Sequence, residues 1–349
     1  MPRTIIDSGS KKATVYPFRL SKAVEWDALS KLAYNPEQSL NADLSRMGLV
    51  HPLSDLGLEE EDTVLETFQG GYLTALRVDK SVVTSTAIRQ AVAVEINARL
   101  EGLDDSEGLS RAERGAIAEA IRGKLLDAAP MVSKYVPIII DTQRNRVIIF
   151  ETSEKIIDAV LTRLNNAFAG NIALFGMTQL AVKASIPNIG IKLLDILTLL
   201  HQSMDDVTDE LFAGAPRLSF GTGVKLAKLD DTAGNHANLP GVDVTDDYIT
   251  PLLERATFVD RLGLFLPHGQ TDVEFQINAQ LQFTKLGLAN LVAEGLDNAD
   301  IDFDDVVAQV RATAILLADA VNAMTDAVCG FLGLPVSLED ANTPDAEAA

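Results

Sequence analysis

Cysteine occurs once in this sequence, at Cys329. A single thiol excludes an internal disulfide and every zinc motif built from several thiolates, and it suits a reducing compartment. Cys329 lies in the apolar run AVNAMTDAVCGFL, where a small buried core residue is the expectation. Aromatic residues make up only 5% of the chain, so the core must be aliphatic. They also leave little of the stacking surface that single-strand nucleic-acid binders use. Histidine is as sparse: His51, His201, His236 and His268 are never three or four apart, so no pair can ligate a metal from one helix. GTG at 221–223 lacks the third glycine and the following helix of a dinucleotide loop, and no phosphate loop of Gly-Lys-Ser or Gly-Lys-Thr type occurs. The opening stretch MPRTIIDSGSKKATVYPF has no apolar leader, and the greasiest segment, NIGIKLLDILTLLH, is interrupted by Lys192 and Asp195. Neither a signal peptide nor a membrane span is expected.

Positive charge is scarce in one half of the chain. Residues 1–200 carry 22 basic and 25 acidic side chains, whereas residues 201–349 carry 7 and 25. The net charge of -21 therefore belongs mostly to the second half. Duplex nucleic acid is held by Lys and Arg replacing counterions on phosphates, so any such surface must come from the first half. The acidic clusters DDVTDE and DNADIDFDD lack the turn glycine and closing glutamate of an EF-hand, and they read as solvated helix N-termini.

What is present is a large apolar fraction, 47% of 349 residues, enough for two or three subdomains. TVYPFRLS reads as a strand, AVEWDALSKLA as a helix, and YNPEQSLNADLSRMGLVHPLSDLG as an irregular ordered loop. TVLETF and YLTALRVDKSVV flank a turn at Gln69-Gly70-Gly71. STAIRQAVAVEINARL then carries Ile88, Val92, Ile96 and Leu100 at helical spacing, and Ser110 with Glu113 has capping-box spacing for a second helix. The two make a projecting helical hairpin.

YVPIIID and RVIIFET form a β-hairpin around 142–145, followed by a helix over 153–168. NIALFGMTQLAVKA reads as extended, 189–212 as helical, and 217–230 and 257–283 as β. A long C-terminal helix closes the fold, with Asp302 to Asp305 at its positive end. The class is α+β with mixed antiparallel sheets. The expected organisation is a flexible arm over 1–13, a central domain over 14–84 and 133–170, and the hairpin tip over 85–132. A second α+β domain over 171–334 and a disordered acidic tail over 335–349 complete it.

This order of elements resembles the RdgC family of recombination-associated proteins. The resemblance is carried by FRLS and by AYNPEQSLNADLSRMGLVHPL, whose Pro36, Met47, Gly48, Val50 and Pro52 fit a Pro and Met-Gly-x-Val-x-Pro pattern. TAIRQAVAVEINARL and the segment ending in YVPIIIDTQRNRVIIFET add to it, as does the C-terminal helix before a glycine stop. It implies a ring-forming homodimer that encircles double-stranded DNA without sequence preference and restricts access of a recombinase. It further implies a cytoplasmic, nucleoid-associated protein with no cofactor, no membrane partner and no bond chemistry. The chain departs from the family where LLDAAPMVSKY replaces an aromatic and basic stretch, and where TAGNHANLPGVDVTDDY replaces lysines. Those departures open a second reading: a repurposed RdgC-like scaffold of a phage or other mobile element, whose acidic half binds basic proteins.

Candidate DNA contacts are Arg111, Arg114 and Arg122, which fall at about 0°, 300° and 20° on a wheel of roughly 100° per residue and so share one helix face. Lys134, just past that helix, and Arg144 and Arg146, at the following turn, join them, together with Arg19 and Lys22 from the N-terminal basic cluster. The same helix also carries Glu119, so a merely solvated face is the alternative.

Overall fold

The structure, a computed structural model, describes residues 6, 11–38, 45–58, 63–101, 108–203, 207–215, 217–227, 236–268, 271–299, 301 and 304–335. Among these the strands are β1 (Lys12–Leu20), β2 (Ser45–Val50), β3 (Glu66–Phe68), β4 (Gly71–Ser81), β5 (Met131–Asp141) and β6 (Arg146–Ile149). They continue with β7 (Ile172–Leu174), β8 (Ser219–Ala227), β9 (His236–Asp243), β10 (Phe258–His268), β11 (Thr271–Asn278) and β12 (Phe283–Thr284). The helices are α1 (Ser85–Leu100), α2 (Arg111–Asp127), α3 (Glu154–Ala167), α4 (Met177–Lys183) and α5 (Ile189–Gln202). After them come α6 (Thr208–Leu211), α7 (Thr250–Leu253), α8 (Leu288–Asn298) and α9 (Val306–Leu332). Among the described residues β1–β6, β10–β11, β8–β10, β3–β4, β5–β6 and β8–β9 pair antiparallel, as the α+β reading expects.

The chain divides into two compact units. The first comprises Met1–Ala33, Leu49–Leu76 and Val136–Ala349, and the second comprises Tyr34–Gly48 and Arg77–Tyr135. In the first unit the strand order is β4-β5-β6-β1-β12-β11-β10-β8-β9, with β3 on β4 and β7 on β1. Its centre is the β5–β6 hairpin, where Ile138, Ile139, Ile140, Val147, Ile148 and Ile149 are all buried. Each such side chain contributes about 1.5–3 kcal/mol on leaving water.

The few aromatics concentrate rather than spread. Trp26 meets Phe168 at 5.0 Å, Tyr72 at 5.6 Å and Phe18 at 5.9 Å, while Phe212, Phe220 and Phe331 form a second group. α9 is long and apolar enough to cross a bilayer, but most of it is buried in the first unit, as a core helix is. Asp305 caps it by accepting from Ala308 N–H at 2.8 Å, and Gly333 ends it at φ +70°. Cys329 is buried there, and loss of hydration pushes its thiol up to about 12, which leaves it unreactive.

Four local readings need correction. The segment expected as a helix from Ala23 holds only a 3-10 helix, Trp26–Leu32, because Glu25 supplies no side-chain cap and Trp26 is fixed among its aromatic neighbours. The expected loop at 34–57 contains β2. NIALFGMTQLAVKA is extended only over Ile172–Leu174; the Gly176 N–H then donates to the Gln179 side chain at 3.1 Å, and α4 begins. Neither β9 nor α8 was expected: β9 carries no strong periodic signal, whereas α8 places Leu288, Leu291, Val292 and Leu296 at helical spacing and was passed over. Of the arm at 1–13 only Ile6 and residues 11–13 are described, the last two already in β1, and of the tail at 335–349 only Pro335 is described.

Glycine is demanded at one turn. A Cβ at Gly71 would stand 2.0 Å from the Ile140 carbonyl oxygen, whereas Gly115, inside α2, has open space around it. Gly71→Ala should cost about 2 kcal/mol through backbone displacement, while Gly115→Ala should gain up to about 1 kcal/mol from helix propensity. Urea midpoints of the two variants should move in opposite directions.

Candidate nucleic-acid interface

The second unit holds 10 of the 29 Lys and Arg and 11 of the 50 Asp and Glu, leaving it at -1. The first unit holds the other 19 and 39, or -20. Any attraction for a polyanion must therefore arise in the second unit, and its helical hairpin carries most of the cations.

That hairpin is specified locally. Thr84 caps α1 by accepting from Ala87 N–H at 3.2 Å. Ser110 accepts from Glu113 N–H at 3.3 Å while the Glu113 carboxylate accepts from Ser110 N–H at 2.8 Å, the reciprocal capping box read from sequence. Those bonds from Ser110 hold the Glu113 carboxyl below its ordinary value. The apolar stripe of α1 is only half-buried, and α2 buries Ile117 alone. Helical faces that do not fill a core are free to present charge.

Arg111, Arg114 and Arg122 are all exposed. Arg111 and Arg114 make no ion pair among the described residues. Arg122 lies 4.0 Å from Glu119, with the two side chains 58% and 78% exposed. A pair that open is worth a few tenths of a kcal/mol, so a phosphate can displace the carboxylate. Lys134 is exposed on β5. Three cations that the sequence reading passed over belong with them: Lys80 on β4, Arg89 on α1 and Lys124 on α2 are exposed and form no ion pair among the described residues. Their position on the same hairpin and its flanking strands was the available signal. Arg99 is engaged by Glu95 at 3.0 Å.

The remaining candidates sit in the first unit. Arg19 and Lys22 are exposed at the end of β1, where Arg19 pairs with Ala173 of β7. Arg144 lies 3.4 Å from Asp319. Arg146 has to be withdrawn as a phosphate contact, since its side chain is only 4% exposed. Its guanidinium donates to Asn322 Oδ1 at 3.1 Å and to Asp326 Oδ1 at 2.5 Å, so it is spent on joining β6 to α9. Three further cations in this unit are engaged, Lys225 by Asp260 at 2.7 Å, Arg311 by Glu66 at 2.6 Å, and Lys12 by the buried Glu151, whereas Lys31, Lys192, Arg255 and Lys285 are exposed and make no ion pair among the described residues.

A second cluster lies where the loop segment of the second unit meets its strands. A Cβ at Gly48 would be 2.3 Å from Tyr34 Cα, so glycine lets these backbones touch and sets Tyr34 in place. Tyr34 donates its hydroxyl to Asp79, which also accepts from Arg77 Nε at 2.9 Å and Nη2 at 3.1 Å. Arg46 Nε is 3.9 Å from the same carboxylate. Burial alone would raise the Asp79 pKa, but the bonds from Arg77, Tyr34 and Ser133 outweigh it and bring it to about 2. Burial and the bond to Asp79 raise the Tyr34 phenol.

Metal chemistry has no evident seat: among the described residues no three His, Cys, Asp or Glu side chains group to hold an ion. His51 is buried, accepts from Leu53 N–H at 3.2 Å through Nδ1, and faces Glu66 at 3.3 Å through Nε2. That is a packing role.

The family model described as "Putative exonuclease, RdgC" matches residues 11–188, just over half of the chain and all of the hairpin. No curated protein matches the chain.

Asp79 links stability to pH with a definite sign. Its carboxyl falls from 3.8 to about 2 on folding, so the stabilisation is complete above about pH 4 and is lost as the pH drops through about 2. The shift corresponds to about 2 kcal/mol for this buried group. Urea midpoints measured between pH 2 and 5 should fall steeply for the native sequence and less steeply for Asp79→Asn.

Proposed function

This chain belongs to the RdgC family, whose membership points to a recombination-associated DNA-binding protein, and on that footing we propose that it binds double-stranded DNA without regard to sequence. The observation that carries the reading is the concentration of exposed cations on one helical hairpin of an otherwise strongly anionic molecule, with Arg89, Arg111, Arg114 and Lys124 making no ion pair among the described residues. Arg111, Arg114, Arg122 and Lys134 are the proposed contacts, joined by Lys80, Arg89 and Lys124. They neutralise phosphates, release counterions and position the protein, and no base is read. The finer picture is a homodimer closed into a ring around the duplex, on the nucleoid in the cytoplasm, which restricts a recombinase by occupying its track. No cofactor takes part and no bond is broken. Duplex and single-stranded DNA incubated with Mg²⁺ or Mn²⁺ should both remain intact.

The scaffold reading draws on a different observation: residues 201–349 hold 25 acidic against 7 basic side chains, and Lys225, Arg261 and Arg311 there lie against carboxylates. Such a surface repels DNA and suits a basic protein. Direct binding to a purified recombinase, with no duplex binding at low salt, would favour it.

Duplex affinity measured across a salt series tests the main proposal. The native chain should bind at low salt with a steep negative slope of log affinity against log salt. The combined Arg111→Gln, Arg114→Gln and Arg122→Gln variant should flatten that slope by up to about 2.7, at roughly 0.9 for each phosphate contact. Absence of binding at low salt overturns the proposal, and light scattering decides whether the chain is a dimer.

A further inference from the structure

Resting on the DNA-binding reading, we propose that Arg77 is a pre-oriented ligand for one backbone phosphodiester, with Asp79 and Tyr34 as its positioning residues. The guanidinium of Arg77 is fixed on three sides. Asp79 takes Nε and Nη2 in a two-point grip at 2.9 and 3.1 Å, and Ser133 Oγ accepts a further bond from Nη2 at 3.3 Å. The plane also rests over the Tyr34 ring at 4.5 Å, with the Tyr135 ring at 5.8 Å. Nη1 alone is left over: neither of its N–H groups has a partner among the described residues, and the side chain stays 31% exposed.

This arrangement differs from an ordinary strand-surface ion pair in two respects. The first is charge. Arg46 approaches the same carboxylate at 3.9 Å, so two guanidiniums share one Asp79 and the cluster keeps a net positive charge. The second is order. The cations of α1 and α2 stand on flexible side chains that must be immobilised when a phosphate binds, whereas Arg77 is already held in one orientation by hydrogen bonds and ring stacking. The residual Nη1 donors and the surplus charge together suit an oxygen pair of a phosphodiester, approached from the open edge. Asp79 would not touch the ligand. It would act by keeping that edge presented.

The test reads the arginine directly. In protein labelled with ¹⁵N, the Arg77 Nε–H signal, assigned by its loss in Arg77→Gln, should shift as non-specific duplex is added at low salt. Inorganic phosphate at matched ionic strength should leave it in place; an equal shift with phosphate alone would make this a free-anion site and overturn the backbone assignment. Arg77→Gln should weaken duplex binding roughly tenfold at low salt and reduce the salt exponent by about 0.9. Arg77→Lys should keep the exponent and lose affinity. Asp79→Asn, assayed where circular dichroism shows it fully folded so that a smaller competent fraction cannot account for the change, should lose affinity several-fold with the exponent unchanged, and native affinity in that folded variant would remove Asp79 as a positioning residue. If the native chain binds duplex while the Arg77 signal stays still and Arg77→Gln keeps the native exponent, this subsite is wrong and the DNA reading stands. If the native chain binds no duplex, both fail.

Discussion

A buried chain of hydrogen bonds running from Asp141 through Asn322 to Arg146 decides how the first unit closes. Asp141 terminates β5 and accepts from the backbone N–H groups of Gln143 and Arg144, both at 2.9 Å, which shapes the β5–β6 turn. Its other oxygen accepts from Asn322 Nδ2 at 2.7 Å, and Asn322 Oδ1 accepts from Arg146 at 3.1 Å. The sequence of donors and acceptors admits one orientation of the amide, because a carboxylate only accepts and a guanidinium only donates. The isoleucine-rich hairpin and the long closing helix are thus held in a single register by polar groups that would be costly to bury unpaired.

That network also shows why a bare count of Lys and Arg misleads as a guide to binding. The first unit has more Lys and Arg in total than the second, but Lys12, Arg146, Lys225 and Arg311 are occupied with Glu151, Asp326, Asp260 and Glu66. In the second unit Arg111, Arg114 and Arg122 stand exposed beside a weak partner or none described. A polyanion responds to charge that can change partners at little cost, and α1, α2 and the adjoining strands carry such charge without the carboxylate excess of the first unit.

The hairpin was legible in the sequence because its determinants are local: a Thr84 cap, a four-residue apolar spacing, and Ser110 three residues before Glu113. The β5–β6 hairpin was legible for the same reason, its apolar runs flanking a turn in which Asn145 takes φ +53°. β9 was not, since HANLPGVD holds Pro240 and Gly241, is mostly exposed, and becomes a strand through pairing with β8. α4 escaped because Thr178 and Val182 favour strands and its seven residues are too few to show a period. Arg146 could not be told from Arg144 by type or position, since the partners that bury it, Asn322 and Asp326, lie more than 170 residues away. The Tyr34, Arg77 and Asp79 cluster was hidden in the same way, joining a loop to a strand 45 residues later.

The shallow burial of α1 and α2 has a consequence for motion. With Ile117 as the one fully buried apolar residue of the two helices, little is lost when the pair separates, while the aliphatic sheet of the first unit keeps its closure. The hairpin is therefore a low-energy opening unit whose amides exchange with solvent well before those of β5 and β6. A bound polyanion would slow that exchange by quenching the fluctuation, so ordering of the helices and binding become one thermodynamic event.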